Sequence, residues 1–284
     1  MPDGYSTVAR GGSRMKLSVS NIAWPAECDR EAFATISGHG IGALEVAPTR
    51  IWPQWEGMTL DAAGRLFDLL RSQSLQASSM QSILFQKPYQ LFGSEIDRSA
   101  MFDHLRRCAD IAARLQAQHL VFGAPKNRDR GSLSEEDALA VAADFFAQVG
   151  SYLASLGVCL GFEANPPQYG CNFVSNSAMA AKLVRRVNSP GFRLHLDSAC
   201  MQLAGDHPAS TIRSNADILS HFHVSEPFLG GFDSPVVPHQ IIAGALREVD
   251  YCGWVALEMR ASDHPLPDLD TALQFLRKTY GKVS

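Results

Sequence analysis

Residues 156–163 read Leu156-Gly157-Val158-Cys159-Leu160-Gly161-Phe162-Glu163, and this stretch decides the fold. Gly157 stops the helical pattern that runs from Ser134 to Leu156, since glycine enters the left-handed conformation at no steric cost. An apolar strand follows at once and ends on a carboxylate. A helix that hands over directly to such a strand is the joint of a parallel sheet, whose strands are buried on both faces and read as near-continuous apolar runs.

The joint recurs outward from this point. Ile36-Ser37-Gly38 and Tyr251-Cys252-Gly253 play the same part before the second and eighth strands. Strand-like runs occupy Lys16–Ile22, Ala43–Val46, Leu75–Met80, His119–Phe122, Val158–Phe162, Arg193–Leu196, Ser220–Val224 and Trp254–Leu257. Amphipathic segments alternate with them: Arg30–Gly38, Leu60–Ser72, Arg98–Arg114, Ser134–Leu156, Asn176–Val187, Ala209–Ile218 and His239–Val249. Ser134-Glu135-Glu136-Asp137 is an N-cap followed by acids that complement the helix dipole. No glycine-rich turn follows the first strand, where Asn21-Ile22-Ala23-Trp24-Pro25 stands, and no linker divides the chain. Eight β/α units predict one α/β domain over residues 15–284, a single (β/α)8 TIM barrel. Residues 1–14, rich in Gly, Ser and Arg, read as an extension outside it, disordered or of vector origin.

Composition narrows the function classes. The 284 residues are 46% hydrophobic and 19% charged, enough apolar matter for a large core. The net charge of −4, with no basic tract, argues against a nucleic-acid partner. Six cysteines, at 28, 108, 159, 171, 200 and 252, form no CxxC pair and read as reduced thiols of a cytoplasmic protein. No run is read as reaching the ~18 apolar residues that cross a bilayer, and the N-terminus lacks the apolar region of a secretory signal, so no membrane partner is expected.

In a (β/α)8 barrel the site lies where the strands stop. The last four strands stop on Glu163, Asp197, His223 and Glu258, about one β/α unit apart. Alone, each has an ordinary explanation: a helix-start acid, or a satisfied rim histidine. Together they converge on one point, and three carboxylates without a cation repel. The set predicts one divalent metal ion such as Mn²⁺, Mg²⁺, Co²⁺ or Zn²⁺. Further rim candidates for contact with a substrate are Asn21, Trp24, Gln81, Lys126, Asn165, Cys200, His239 and Arg260. Trp24, Trp52 and Trp55 make either an aromatic wall or a closure of the barrel mouth. Cys200 reads as a small pocket-lining residue or a nucleophile, and Lys126, Arg128, Arg130 and Arg260 are the cations available to an anionic substrate. Glu45 is either a buried charge serving the site or a helix-facing residue, and His195 lies one layer below Asp197.

These residues carry a resemblance. Lys16-Leu17-Ser18-Val19-Ser20-Asn21, Gly42-Ala43-Leu44-Glu45-Val46, Gly161-Phe162-Glu163-Ala164-Asn165, His195-Leu196-Asp197, His221-Phe222-His223-Val224-Ser225 and Gly253-Trp254-Val255-Ala256-Leu257-Glu258 resemble the xylose-isomerase-like TIM-barrel superfamily. The similar branch is that of the sugar phosphate isomerases/epimerases, D-tagatose 3-epimerase-like. The resemblance implies a metal-dependent isomerase or epimerase of a sugar or related polyhydroxy carbonyl compound. Glu163 and Glu258 would be its acid/base pair around an enediolate. It also implies a homodimer or homotetramer.

Two positions depart from that pattern. Cys200 stands where the branch often has a substrate-binding His, and Leu229 where it commonly has an Arg. Two other readings therefore stay open: a metal-dependent dehydratase of a keto-cyclitol such as an inosose, and a non-catalytic carbohydrate-binding barrel. An endonuclease IV-like cluster is set aside, since Asp233 and His239 do not reproduce the Asp-x-His pair it uses.

Overall fold

The computed structural model describes residues 15–281. The expected extension at residues 1–14 lies outside them. Eight strands pair in parallel, each with the next in sequence and the last with the first, so the sheet closes into a barrel. In chain order the elements are β1 (Lys16–Ser20), α1 (Asp29–Gly38), β2 (Ala43–Val46), α2 (Pro48–Ile51), α3 (Leu60–Ser72), β3 (Gln76–Met80), α4 (Glu95–Leu115), β4 (His119–Phe122) and α5 (Glu135–Ser155). Then come β5 (Cys159–Glu163), α6 (Ser177–Val187), β6 (Phe192–Asp197), α7 (Ser198–Ala204), α8 (Pro208–Ser214), β7 (Leu219–Ser225), α9 (His239–Glu248), β8 (Trp254–Glu258) and α10 (Pro265–Tyr280).

Strand parity separates two cores. Outward-facing residues such as Leu160, Phe162, Leu194, Leu196, Phe222 and Val224 are buried beneath the helices. Phe162 there stacks on Phe122 and meets Phe146, which in turn stacks on Phe192. Barrels of this kind usually fill the interior with Val, Ile and Leu. Here it holds Ser18, Glu45, Ser79, His119, His195, His221 and His223, all at most 3% exposed. Gly161 makes the room: a Cβ there would lie 2.2 Å from the His119 ring.

Several expectations need correction. The described residues form three further helices, α2, α7 and α10. The last begins with Pro265 and packs on α1, α9 and β8. Helix α8 ends at Ser214 rather than Ile218, because the Asn215 carbonyl accepts from the backbone of Ile218 and Leu219 and turns the chain into β7. Gly157 does adopt the left-handed conformation, whereas before β8 Asp250 takes that role in place of Gly253. Helix α5 is long and apolar enough to cross a membrane by length and composition, contrary to the sequence reading. Its apolarity is spent on packing, for one side of it is buried against α4, α6, β5 and β6. All six cysteines are free.

Candidate metal centre

Glu163, Asp197 and Glu258 are the last residues of β5, β6 and β8. His223 sits two residues before the end of β7, one step deeper than the sequence reading placed it. The register explains the difference. Glu163 pairs with His195, Asp197 with His223, and Ser225 with Glu258, a two-residue stagger of the kind that closing a tilted sheet imposes. β7 therefore runs further, and its ligand-competent residue comes from a lower level.

Ligand atoms of Glu163, Asp197 and His223 lie within 4.8 Å of one another. His223 Nδ1 faces all three carboxylates: Glu258 Oε2 at 3.2 Å, Glu163 Oε1 at 3.7 Å and Asp197 Oδ2 at 3.9 Å. Each group is held from behind. Asp197 accepts from Ser225 Oγ (2.5 Å) and from the Cys200 amide (2.6 Å), so it also caps α7. Asn165 Nδ2 donates to Glu163 Oε2 (3.1 Å), and Arg128, fully buried, donates to Asn165 Oδ1 (2.8 Å). His223 Nε2 lies 2.9 Å from Glu45 Oε2, while Glu45 Oε1 accepts from Ser79 Oγ and meets His221 Nε2 at 3.1 Å. Glu45 thus serves the site.

The electrostatics show what this arrangement lacks. Burial, aided by the Asp197 and Glu258 charges and opposed by His223, pushes the Glu163 carboxyl up to about 8. Burial works against the His223 imidazolium, yet Glu45 and Glu258 together hold its pKa well above the usual range. Glu45 itself is desolvated, but His223 and His221 keep it ionised, well below the usual carboxylate range. Burial drives His119 and His195 far down and His221 down, so the stacked rings beneath the site are neutral. A proton on His223 and a proton on Glu163 are stand-ins for a missing positive charge. A divalent ion fits better, because it takes oxygen from the carboxylates and the lone pair of His223 Nδ1, a buried nitrogen with no hydrogen-bond partner, while Nε2 on the far side of the ring faces Glu45 at 2.9 Å.

A cavity of about 560 Å³ opens from these four residues toward the loops after β3 and β4. Gln81, Lys126, Asn165 and Cys200 line it. The other candidates do not. Asn21 Oδ1 accepts from the Ala47 amide, and Trp24 is 1% exposed with its indole N–H on Asp29. His239 is buried between Glu226 and Tyr280. The exposed Arg260 lends the site only its backbone N–H, given to the Leu229 carbonyl. Trp55 packs edge-on against His104, and Trp52 packs on the core, so the tryptophans build no wall. Among the four cations proposed for an anionic substrate, Lys126 alone lines the cavity. Burial and the Asp197 and Glu163 charges hold the Cys200 thiol well above its ordinary value, which makes it a pocket-lining thiol and not a thiolate nucleophile. A larger hollow of about 840 Å³ at the opposite end of the barrel has no Asp, Glu, His or Cys among its lining residues.

Sequence reasoning missed Gly123, Glu226, Phe228 and Tyr169. Gly123, one residue past β4, is a cradle: a Cβ there would lie 1.8 Å from Glu163 Oε2. Its place at a strand end was the available signal. Gly123→Ala is expected to leave the fold intact, since the obstructed atom ends a flexible side chain, and to weaken Mn²⁺ binding at least about tenfold by turning Glu163 aside. Mn²⁺ titration by electron paramagnetic resonance measures this, and an unchanged affinity contradicts it. Glu226, directly after β7, accepts from the Val236 and Val237 amides and pins the loop that crosses the rim. Within that loop Phe228 and Leu229 are both left-handed (φ 59° and 57°), at a cost of order 1 kcal/mol each. Tyr169 Oη accepts from the Phe228 amide, and Arg260 N–H donates to the Leu229 carbonyl. The strained turn holds Leu229 in the cavity wall.

The model of the family described as xylose isomerase-like TIM barrel matches residues 33–279. The chain belongs to that family. It is 24% identical over 254 residues to an L-ribulose 3-epimerase from Methylomonas sp. (strain DH-1), covering 88% of this chain and 85% of that protein. Crystal structures share the barrel. A D-psicose 3-epimerase studied in the presence of D-fructose superposes with a TM-score of 0.80 at 17% identity, over 94% of this chain and 100% of its own. A 3-keto-D-glucoside 4-epimerase from E. coli does so with 0.77 at 17%, over 93% and 100%. At these identities the structures establish a common fold.

Proposed function

We propose that this member of the xylose isomerase-like family is a divalent-metal-dependent epimerase or isomerase of a sugar or related polyhydroxy carbonyl compound. The carrying observation is the cluster of Glu163, Asp197, His223 and Glu258 at one point of the C-terminal rim, with Glu163 pushed up to about 8. Similarity to an L-ribulose 3-epimerase supports the reaction class. An ion bound by these four residues, Mn²⁺ being the first choice for such an oxygen-rich set, would polarise the carbonyl and stabilise an enediolate.

The chain's own residues do the rest. Glu163 and Glu258 stand on strands β5 and β8, on either side of His223. One removes the proton from the carbon beside the carbonyl; the other returns a proton to the opposite face or to the neighbouring carbon. Asn165 keeps Glu163 aimed into the cavity, and Cys200 and Leu229 give that cavity weakly polar walls beside the reacting carbon.

Incubation with Mn²⁺ and a panel of ketoses and keto-inositols in D₂O tests this. Deuterium should appear at the carbon next to the carbonyl, with an epimer or isomer formed. Loss of water from a keto-inositol without an epimer would replace the proposal with a dehydratase. Absence of exchange in every compound, with sugars still bound, would leave a carbohydrate-binding barrel.

A further inference from the structure

We infer that the barrel interior is built to hold a second metal ion, one level below the rim centre, bound by His195, His221, His223 and Glu45. The inner site shares His223 with the rim centre and does not depend on the epimerase reading. One ring nitrogen from each of the three histidines lies within 4.8 Å of the other two, and none of the residues is more than 1% exposed. The Glu45 carboxylate closes the set, with Oε2 2.9 Å from His223 Nε2 and Oε1 3.1 Å from His221 Nε2. Four ligands at 2.0–2.1 Å around a tetrahedral ion stand roughly 3.3 Å apart, so side-chain shifts of the order of 1 Å complete the shell.

Unmet hydrogen-bonding capacity marks the same place. Nine buried side-chain nitrogen and oxygen atoms of the described residues have no hydrogen-bond partner. Five of them belong to these four residues: Glu45 Oε2, His195 Nε2, His221 Nδ1 and both nitrogens of His223. Orphaned polar atoms are costly inside a protein, and five in one spot call for a ligand. His223 Nε2 and Glu45 Oε2 stand only 2.9 Å apart, yet neither makes a hydrogen bond. Two ligands of one ion stand in that relation, with their lone pairs aimed at a common point instead of at each other.

The bonds behind the rings leave a lone pair facing the cluster. Ser220 donates to the Leu194 carbonyl, so its Oγ is free to accept from His119 Nδ1–H at 3.5 Å. His119 Nε2 then accepts from His195 Nδ1–H at 3.4 Å, which leaves the His195 Nε2 lone pair unused, with Glu163 Oε1 3.7 Å away. His119 is thus the partner that orients a ligand, a role such partners commonly play at metal sites. The absence of a side chain at Gly161 is what admits the His119 ring.

Charge points the same way. Glu45, Glu163, Asp197 and Glu258 carry −4 between them, and no lysine or arginine among the described residues forms an ion pair with any of the four. One divalent ion leaves −2 in a low-dielectric interior, where uncompensated charge is expensive. A second ion makes His223 a bridge, Nδ1 on the rim ion and Nε2 on the inner one, its remaining N–H proton released to solvent. The sum is then −4 − 1 + 4, or −1. The donor sets also differ. The rim is oxygen-rich and suits Mn²⁺, whereas three imidazoles and one carboxylate, closed to water, suit Zn²⁺ or Co²⁺ in a structural role.

The full chain, produced in Co²⁺-supplemented medium so that the closed interior loads as it folds, tests the proposal by visible absorption and metal analysis after desalting. The wild-type chain should carry two equivalents. One should show the intense bands of a four-coordinate Co²⁺ ion, and the rim ion, with open positions for water, only weak ones. His195→Gln and His221→Gln should each lose the intense bands and one equivalent. Asp197→Asn should lose the rim equivalent and keep the bands. His119→Gln leaves all four ligands in place and frees the His195 ring, so it should keep the bands and weaken the inner site about tenfold or more. That variant carries the test if a ligand variant fails to fold. A wild-type chain without intense bands would overturn the proposal and leave the interior to an ordered water. Bands that survive both ligand variants, or an inner affinity unchanged in His119→Gln, would place the ion elsewhere and overturn it as well. Deuterium exchange is decided separately: its absence with both ions bound removes the epimerase and leaves the inner site.

Discussion

Glu163→Gln is expected to lower the rate of solvent-deuterium exchange by roughly 10³-fold, within the range that removal of a positioned general acid or base produces. The substitution keeps shape and hydrogen-bonding reach, so packing around β5 is preserved. It removes one of the two carboxylates proposed to move the proton, the other being Glu258, and both face His223. It also removes a carboxylate from the metal set, which costs affinity. Single-turnover exchange at saturating Mn²⁺, with bound metal counted by electron paramagnetic resonance, separates the two losses. Exchange within about tenfold of wild type at full metal occupancy would assign the chemistry to another residue. Asn165→Ala is the graded comparison: it leaves Glu163 in place but frees its Oε2, so a loss of about 10- to 100-fold is expected, in the rate and not in metal stoichiometry.

The fold was legible because its signal is repetitive. Joints such as Leu156-Gly157-Val158 and eight spaced apolar runs admit few topologies, and the closed barrel is the one that accommodates a parallel sheet of that many strands. The cluster was legible for a related reason: Glu163, Asp197 and Glu258 end their strands, and His223 lies two residues inside the end of β7. What failed was inference from rim position to contact. Asn21, Trp24, His239 and Arg260 all lie near strand ends or helix starts, yet each turns to a protein neighbour away from the cavity's interior: Asn21 to Ala47, Trp24 to Asp29, His239 to Glu226 and Tyr280, and the Arg260 backbone to Leu229. One-dimensional spacing carries no information on which way a loop side chain faces. The C-terminal helix was not among the segments read from the sequence, and it opens on Pro265 and Pro267, residues a helix accommodates only in its first turn.

The barrel interior was half legible. Glu45 and the His221/His223 alternation stand on strands whose parity points them inward, but parity alone does not tell a charged pair from a stack of neutral rings. That distinction depends on partners far apart in sequence. Glu45 reaches His223 across the barrel and ionises both, whereas His119 and His195 meet mainly other imidazoles and are desolvated into neutrality. The same separation hid Gly123 and Arg128, whose importance lies entirely in where Glu163 and Asn165 arrive.

That charged interior makes metal removal the most revealing perturbation of stability. In the metal-free chain Glu163 binds its proton more tightly than in the unfolded state, about 8 against 4.5. At this group the native state therefore holds more protons across that window, and its contribution to stability falls as pH rises through it. His223 acts in the same direction: its folded pKa is raised, so its contribution is complete below its unfolded value of 6.5 and is lost as pH climbs through the folded one. Metal binding has the opposite slope, because the ion replaces those protons and binds better as they leave. His119, His195 and His221, whose pKa values burial lowers, make stability rise with pH in both forms, so the expected signature is the difference: the melting-temperature advantage of Mn²⁺-loaded over chelator-treated protein widens from about pH 5 to pH 8. With the ion at roughly 100 times its dissociation constant the stabilisation is about 2.7 kcal/mol, a gap of roughly 5 °C at pH 8 for a chain of this size. At pH 5 the two curves should nearly meet. Melting curves that stay parallel across the range would mean that the ion does not occupy the place those two protons hold, and would move the metal away from Glu163 and His223.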